Sequence, residues 1–186
     1  MRTLWLRDRA LDLDRVRLLG VLNLTPDSFS DGGRYLDPER ALERAREMVA
    51  EGADILDLGA ESTRPGAAPV PVEEEKRRLL PVLEAVLSLG VPVSVDTRKP
   101  EVAEEALKLG AHLLNDVTGL RDERMVALAA RHGVAAVVMH MPVPDPATMM
   151  AHARYRDVVA EVKAFLEAQA KRALSAGVPQ VVLDPG

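Results

Sequence analysis

The chain has 186 residues, 47% of them hydrophobic and 28% charged, with a formal net charge of -5, which is enough apolar material for the core of one domain. That charge has the wrong sign for a general nucleic-acid binder, which works through a basic surface, and no apolar run approaches the roughly 20 residues of a membrane span. Zero cysteines exclude disulfides, thiolate metal sites and cysteine nucleophiles; the opening MRTLWLRDRALDLDR lacks the apolar stretch of a signal peptide, so the cytoplasm is the expected compartment.

In chain order, residues 3–13 alternate around Asp8 and Arg9 and predict a small hairpin. Six short, β-branched apolar runs follow, at 16–22, 55–58, 91–95, 113–114, 135–139 and 181–183, and these read as buried parallel strands. Amphipathic stretches at 38–51, 72–89, 100–109, 123–132 and 156–176 alternate with them as helices. Pro38 and Pro100 suit first-turn positions, and Gly52, Gly90, Gly110, Gly133 and Gly177 fall where helices stop. Repetition of strand, loop, helix and tight turn requires a parallel sheet with right-handed crossovers.

An open doubly wound sheet and a closed barrel both satisfy that pattern. The segments after the first two strands, 23–37 and 59–71, are long and polar, whereas the turns before strands are tight, and no GxGxxG follows the first strand. Loops concentrated at the C-terminal ends of strands favour a (β/α)8 TIM barrel. Only about six βα units are present, where such a barrel needs eight and about 250 residues. The expectation is therefore a single barrel domain over residues 1–186, incomplete at its C-terminus.

The chain contains two asparagines, Asn23 and Asn115, and two glutamines, Gln169 and Gln180, beside 19 arginines and 5 lysines. Such scarcity of labile amides fits a high-temperature or GC-rich source. Both asparagines follow predicted strands, as do the Glu61-Ser62-Thr63-Arg64 corner, Asp96, Asp116, Met139-His140 and Asp184. In a barrel these tips converge on one mouth. Amides and carboxylates together offer donors and acceptors for a flat heterocycle edged with N–H and C=O groups, and a guanidinium adds recognition of an anion such as phosphate. Aspartates after strands also cap helices, which is the competing structural role for Asp96 and Asp184.

The runs GVLNLTPDSFSDGG and GADILDLGAESTRPGA, then SVDTRKPEVAEEALKLGAHLLNDVTGL, VVMHM and VVLDPG, resemble the signatures of the dihydropteroate synthases, in that family's order and over nearly the whole chain. The resemblance implies a transferase of folate biosynthesis that condenses 6-hydroxymethyl-7,8-dihydropterin diphosphate with 4-aminobenzoate, uses Mg2+, is a target of sulfonamides and acts as a homodimer. It implies pterin binding by Asp96, Asn115 and Asp184, with Met139 beside the ring, and a metal and diphosphate contact at Asn23. It further implies a 4-aminobenzoate pocket formed with Phe29, Thr63 and Pro65, an anion contact at Arg64 and approach of Asp31 to the metal, with Asp96, Asp31 and Arg64 as the catalytic set. The alternative is a pterin-binding module that passes a folate methyl group to a corrinoid protein; ESTRPGA and NLTPDSFSDGG favour the synthase.

Other residues invite plainer readings. His112, His132 and His152 have no metal-ligand spacing and are expected at the surface or at caps, and His140 is expected to support the pocket floor. MPVPDPATMM after the fifth strand departs from the family's glycine-containing segment, which affects the shape of that loop.

Overall fold

The computed structural model describes residues 2–25, 37–62, 68–143, 148 and 153–186. Phe29, Asp31, Thr63, Arg64 and Pro65 lie outside these, as does His152.

A two-stranded antiparallel hairpin, β1 (Thr3–Leu6) and β2 (Arg9–Asp12), precedes six parallel strands. These are β3 (Leu19–Asn23), β4 (Ile55–Gly59), β5 (Val93–Asp96), β6 (Leu113–Asp116), β7 (Ala135–Met139) and β8 (Val181–Asp184), hydrogen-bonded in sequential order. Helices α1 (Pro38–Ala50), α2 (Val72–Leu87), α3 (Pro100–Leu109), α4 (Glu123–His132) and α5 (Val158–Ser175) lie between them. Sequential parallel order is the arrangement expected of a barrel; a doubly wound sheet would reverse direction at a switch point. The order agrees with the predicted alternation, and α3 and α4 keep their predicted bounds.

Local chemistry explains the boundaries. Pro38 and Pro100 occupy first turns, where a missing N–H costs nothing. Asp37, Asp122 and Asp157 cap α1, α4 and α5 through backbone N–H groups of Glu39, Arg124 and Ala160 at 2.9 to 3.0 Å. The first strand begins at Leu19 rather than at residue 16 because the preceding segment is tied elsewhere. Arg15 and Arg17 pair with Asp54, whose carboxylate also accepts the Leu18 N–H at 2.9 Å.

Strand alternation divides the sheet's two faces. Leu22, Leu58, Val95, Leu114, Ala136 and Val181 are register partners and pack with the helices in the main core. On the other face, Asn23, Gly59, Asp96, Asn115, Val137 and Val182 form a continuous row. Its N-terminal end is closed by the hairpin, whose Leu4, Leu6 and Leu11 pack with Ile55, Leu113, Ala135 and Val137. Gln180 fastens that plug by accepting the Trp5 N–H at 2.6 Å and donating to the Thr3 carbonyl at 3.0 Å. Arg7 donates to the carbonyls of Leu107 and Ala111. With one end plugged by hydrocarbon, the C-terminal end is left as the polar mouth.

Candidate active site

All five predicted site residues within the described part belong to the inner face. Asn23, Asp96 and Asn115 share the register row, while Met139 and Asp184, two positions beyond Val137 and Val182, pair across β7 and β8. Period-two geometry then directs every one of these side chains inward from the strands' C-terminal ends. Asn23 is exposed, and Asp96, Asn115, Met139 and Asp184 are half-buried.

Asp96 does not cap the following helix, whose N-cap is Lys99. A Cβ on Gly59 would stand 3.3 Å from both Cβ and Oδ2 of Asp96, so a glycine in the adjacent strand leaves the carboxylate its room. Burial, followed by the charges of Asp57, Asp116, Glu75 and Glu61, pushes the Asp96 carboxyl well above the usual carboxylate range. Asp184 combines a local task with its place in the mouth: Oδ1 accepts the Gly186 N–H at 2.9 Å, and its carbonyl accepts the His140 N–H at 2.8 Å.

Two predicted placements are corrected. Asp116 follows Asn115 directly, so alternation turns it to the opposite face, where it is buried and accepts both the N–H and the hydroxyl of Thr118 at 2.8 and 2.7 Å. His112, expected at the surface or at a cap, is 5% exposed. Its Nδ1 accepts the Val93 N–H at 3.1 Å and its Nε2 lies 3.7 Å from Asp8, so it links β5 to the hairpin. His140 is buried between Tyr155 and Phe165, with ring centroids 5.7 and 5.2 Å away. Burial, then the Arg121 guanidinium, lowers its pKa, which suits a neutral residue packed against Phe165 of α5.

Sequence reasoning missed Asp57 and Ser94. Both lie on the inner face one layer below Asp96, are 3% and 0% exposed and are register partners. Asn115 Nδ2 donates to Asp57 Oδ2 at 3.1 Å. Burial raises the Asp57 carboxyl, against the lowering effect of Ser94 and Asn115. A charged letter inside ILDLG, and a hydroxyl two residues before Asp96, were the available signals. Also missed was the ion-pair cluster behind the mouth: Lys99 bridges Glu61 and the fully buried Glu75, Arg98 pairs with Glu61 at 3.0 Å, and Thr97 bonds Glu75.

Among the described residues no group of three His, Cys, Asp or Glu side chains is arranged to hold a metal. Asn23 offers one neutral amide oxygen at the rim, which fits a hard cation whose remaining ligands are water and phosphate oxygens.

Together these residues give a parallel α/β barrel whose C-terminal mouth gathers carboxylates and amides, a set able to pair with the N–H and C=O edge of a flat heterocycle. The chain belongs to the pterin-binding enzyme family, whose model, described as "Pterin binding enzyme", matches residues 19–186. Proteins it resembles include several dihydropteroate synthases. The Neisseria meningitidis serogroup B protein is 46% identical over 191 residues, covering 100% of this chain and 67% of the relative. Two crystal structures of the Thermus thermophilus dihydropteroate synthase cover 100% of this chain. The complex with 4-aminobenzoate has 91% identity, a TM-score of 0.88 and 66% of its own chain matched. The complex with 6HMPPP has 86% identity, a TM-score of 0.86 and 65% matched. This chain therefore spans about two thirds of these relatives' length. No described helix is long and apolar enough to cross a membrane.

Proposed function

We propose that this chain carries the pterin-binding part of a dihydropteroate synthase site, which joins 6-hydroxymethyl-7,8-dihydropterin diphosphate to 4-aminobenzoate. The observation that carries this reading is the common inward face and common strand end of Asp96, Asn115, Met139 and Asp184. Carboxylate acceptors at Asp96 and Asp184 match the 2-amino and N3–H donors of the pterin edge, and Met139 supplies a polarizable surface for the ring.

In the reaction the 4-aminobenzoate nitrogen forms a bond to the pterin's exocyclic methylene carbon, the carbon–oxygen bond breaks, and diphosphate leaves with the electron pair. The nitrogen then releases a proton. Because a neutral aniline is a modest nucleophile, stabilising charge as the leaving group departs contributes most. Asp96 in its ionised form opposes positive charge developing on the pterin, and Asn115 holds the ring in register. Mg2+, held by the diphosphate and Asn23, would neutralise charge on the leaving group. Phe29, Thr63 and Pro65 are assigned to the 4-aminobenzoate pocket, Arg64 to the anion and Asp31 to the metal side. A cytoplasmic homodimer is the form in which we expect the enzyme to act.

The test is calorimetry of the complete enzyme with the pterin diphosphate, with and without Mg2+, beside an assay for 7,8-dihydropteroate. Tight, Mg2+-enhanced binding and product formation are expected. Binding of the pterin without any requirement for the diphosphate, and no product, would overturn the synthase reading. Phe29→Ala is expected to spare pterin diphosphate affinity while raising the KM for 4-aminobenzoate.

A further inference from the structure

The interior layer beneath the mouth contains polar groups that the proposed reaction does not use. Asp57 Oδ1 and Ser94 Oγ are buried and have no hydrogen-bond partner of normal geometry, whereas Asp57 Oδ2 accepts the Asn115 amide at 3.1 Å. Asp57 and Ser94 are directly opposed across β4 and β5, and Asp96 and Asn115 are opposed across β5 and β6. The four groups therefore make a polar column rising from sealed interior to the mouth. A buried carboxyl in such a column is costly to retain, so its bond to a site residue calls for an explanation.

We infer that Asp57 is a positioning residue for Asn115: by accepting one N–H of the side-chain amide, it fixes which end of that amide is turned to the mouth. The inference deepens the pterin-binding reading and rests on it. A side-chain amide is nearly symmetric in shape and opposite in polarity at its two ends, so packing alone cannot choose its orientation. Asp57 chooses. In the flipped state the Asn115 carbonyl oxygen would face the ionised Asp57 carboxylate at hydrogen-bond distance, two acceptors in a buried layer. With Nδ2 committed to Asp57, the carbonyl oxygen is the atom turned away, and it requires an N–H from the ligand edge. A heterocycle that presents an acceptor at that position is rejected, because both groups would be left desolvated and unpaired. The main-chain ladder holds the arrangement in place, since the Asn115 carbonyl accepts the Thr97 N–H at 3.1 Å.

The inference separates Asp57 from a residue that acts by its charge on the ligand. In Asp57→Asn the new amide can still offer a carbonyl oxygen to Asn115 while its N–H meets Ser94 Oγ, so the productive orientation stays populated although the reverse pairing is now also satisfied. In Asp57→Leu the acceptor is gone. With 6-hydroxymethyl-7,8-dihydropterin diphosphate as the probe and the complete enzyme in the calorimeter, Asp57→Asn is expected to bind within about threefold of the unaltered protein. Asp57→Leu should bind on the order of tenfold or more weakly, a loss matching that of Asn115→Ala, and the double variant should lose little beyond either single one.

A second readout needs no ligand. Asn115→Ala in the complete enzyme assigns the Asn115 side-chain amide pair by nuclear magnetic resonance, because that pair is lost from the spectrum. That pair should be sharp and protected from exchange in the unaltered protein, and averaged in Asp57→Leu. A fast-exchanging Asn115 pair in the unaltered protein, or a folded Asp57→Asn that binds as weakly as Asn115→Ala, would overturn the inference. Failure of the unaltered enzyme to bind the pterin diphosphate would overturn the proposed function instead, and the amide spectrum would still decide the role of Asp57.

Discussion

Thr97 and Glu75 meet between β5 and α2, where the threonine hydroxyl donates to Glu75 Oε1 at 2.6 Å although the residues are 22 positions apart. Glu75 is fully buried, and its second oxygen is held by Lys99, which also reaches Glu61. The mouth of the barrel is thus braced from behind by a carboxylate that depends on one ammonium group. Lys99→Met leaves Glu75 buried with a hydroxyl as its remaining partner in the cluster, and is expected to destabilise the protein by about 3 to 5 kcal/mol. Urea denaturation measures this, and adding Glu75→Gln should restore part of the loss. Equal stability of Lys99→Met and the unaltered protein would mean that the pair contributes nothing.

Asp96 should set stability against binding. Its carboxyl is raised well above 3.8 by burial and by neighbouring negative charge. Below the unfolded value the group is neutral in both states; as pH rises through the folded value, stability is lost. Asp96→Asn is therefore expected to raise the melting temperature at neutral pH and to flatten its dependence on pH. The same change should weaken pterin binding by roughly 1.5 to 3 kcal/mol, the worth of a charge-assisted hydrogen bond. Binding by the unaltered protein should decline on acidification at a pH above the ordinary carboxylate range. Melting curves and calorimetry on both proteins test this, and a variant that loses stability at neutral pH while keeping full affinity contradicts the assignment.

Gly119 follows β6 and has φ +75, and a Cβ there would lie 2.6 Å from the Met139 carbonyl oxygen and 2.7 Å from Phe165 Cζ. Gly133 also has positive φ, at +63, but opens onto free space. Gly133→Ala carries backbone strain alone, about 1 kcal/mol. Gly119→Ala must additionally displace a strand-end carbonyl beside the site, so its loss of stability should clearly exceed that of Gly133→Ala and should be accompanied by weaker pterin binding. Denaturation of the two variants side by side is the measurement. Equal losses would show that the packing around Phe165 gives way without cost.

At the entry to the barrel, Asp54 gathers Arg15, Arg17 and the Leu18 N–H. The Leu18 hydrogen bond, aided by the two guanidinium groups, pulls its carboxyl down to about 2. A lowered value gives stability that is present above the unfolded value and lost as pH falls through the folded one. Asp54→Asn should therefore unfold at a higher pH on acid titration than the unaltered protein, and circular dichroism against pH would detect it. An unchanged acid midpoint would assign the acid sensitivity to other carboxylates.

Much of the fold was legible because its signals are local. Pro100 and Gly110 bracket α3, Asp122 and Gly133 bracket α4, and a β-branched run such as AAVVM reads as a buried strand in any setting. The strand-end positions of Asn23, Asp96, Asn115, Met139 and Asp184 followed from the same periodicity. The boundary at Leu19 was less legible because Asp54 lies 36 residues from Leu18, and no window of sequence contains both partners.

By itself the sequence determined the order of strands and helices, the ends at which polar residues gather, and the family whose signatures those residues form, because propensity, capping and alternation act over a few residues at a time. Only the tertiary structure decided that Asn115 faces the mouth while Asp116 is turned into the helix layer, that His112 is buried against the hairpin, and that Asp57 supports Asn115 from below. These outcomes depend on the register between strands and on which buried polar groups find partners, and both are fixed by contacts between segments far apart in the chain.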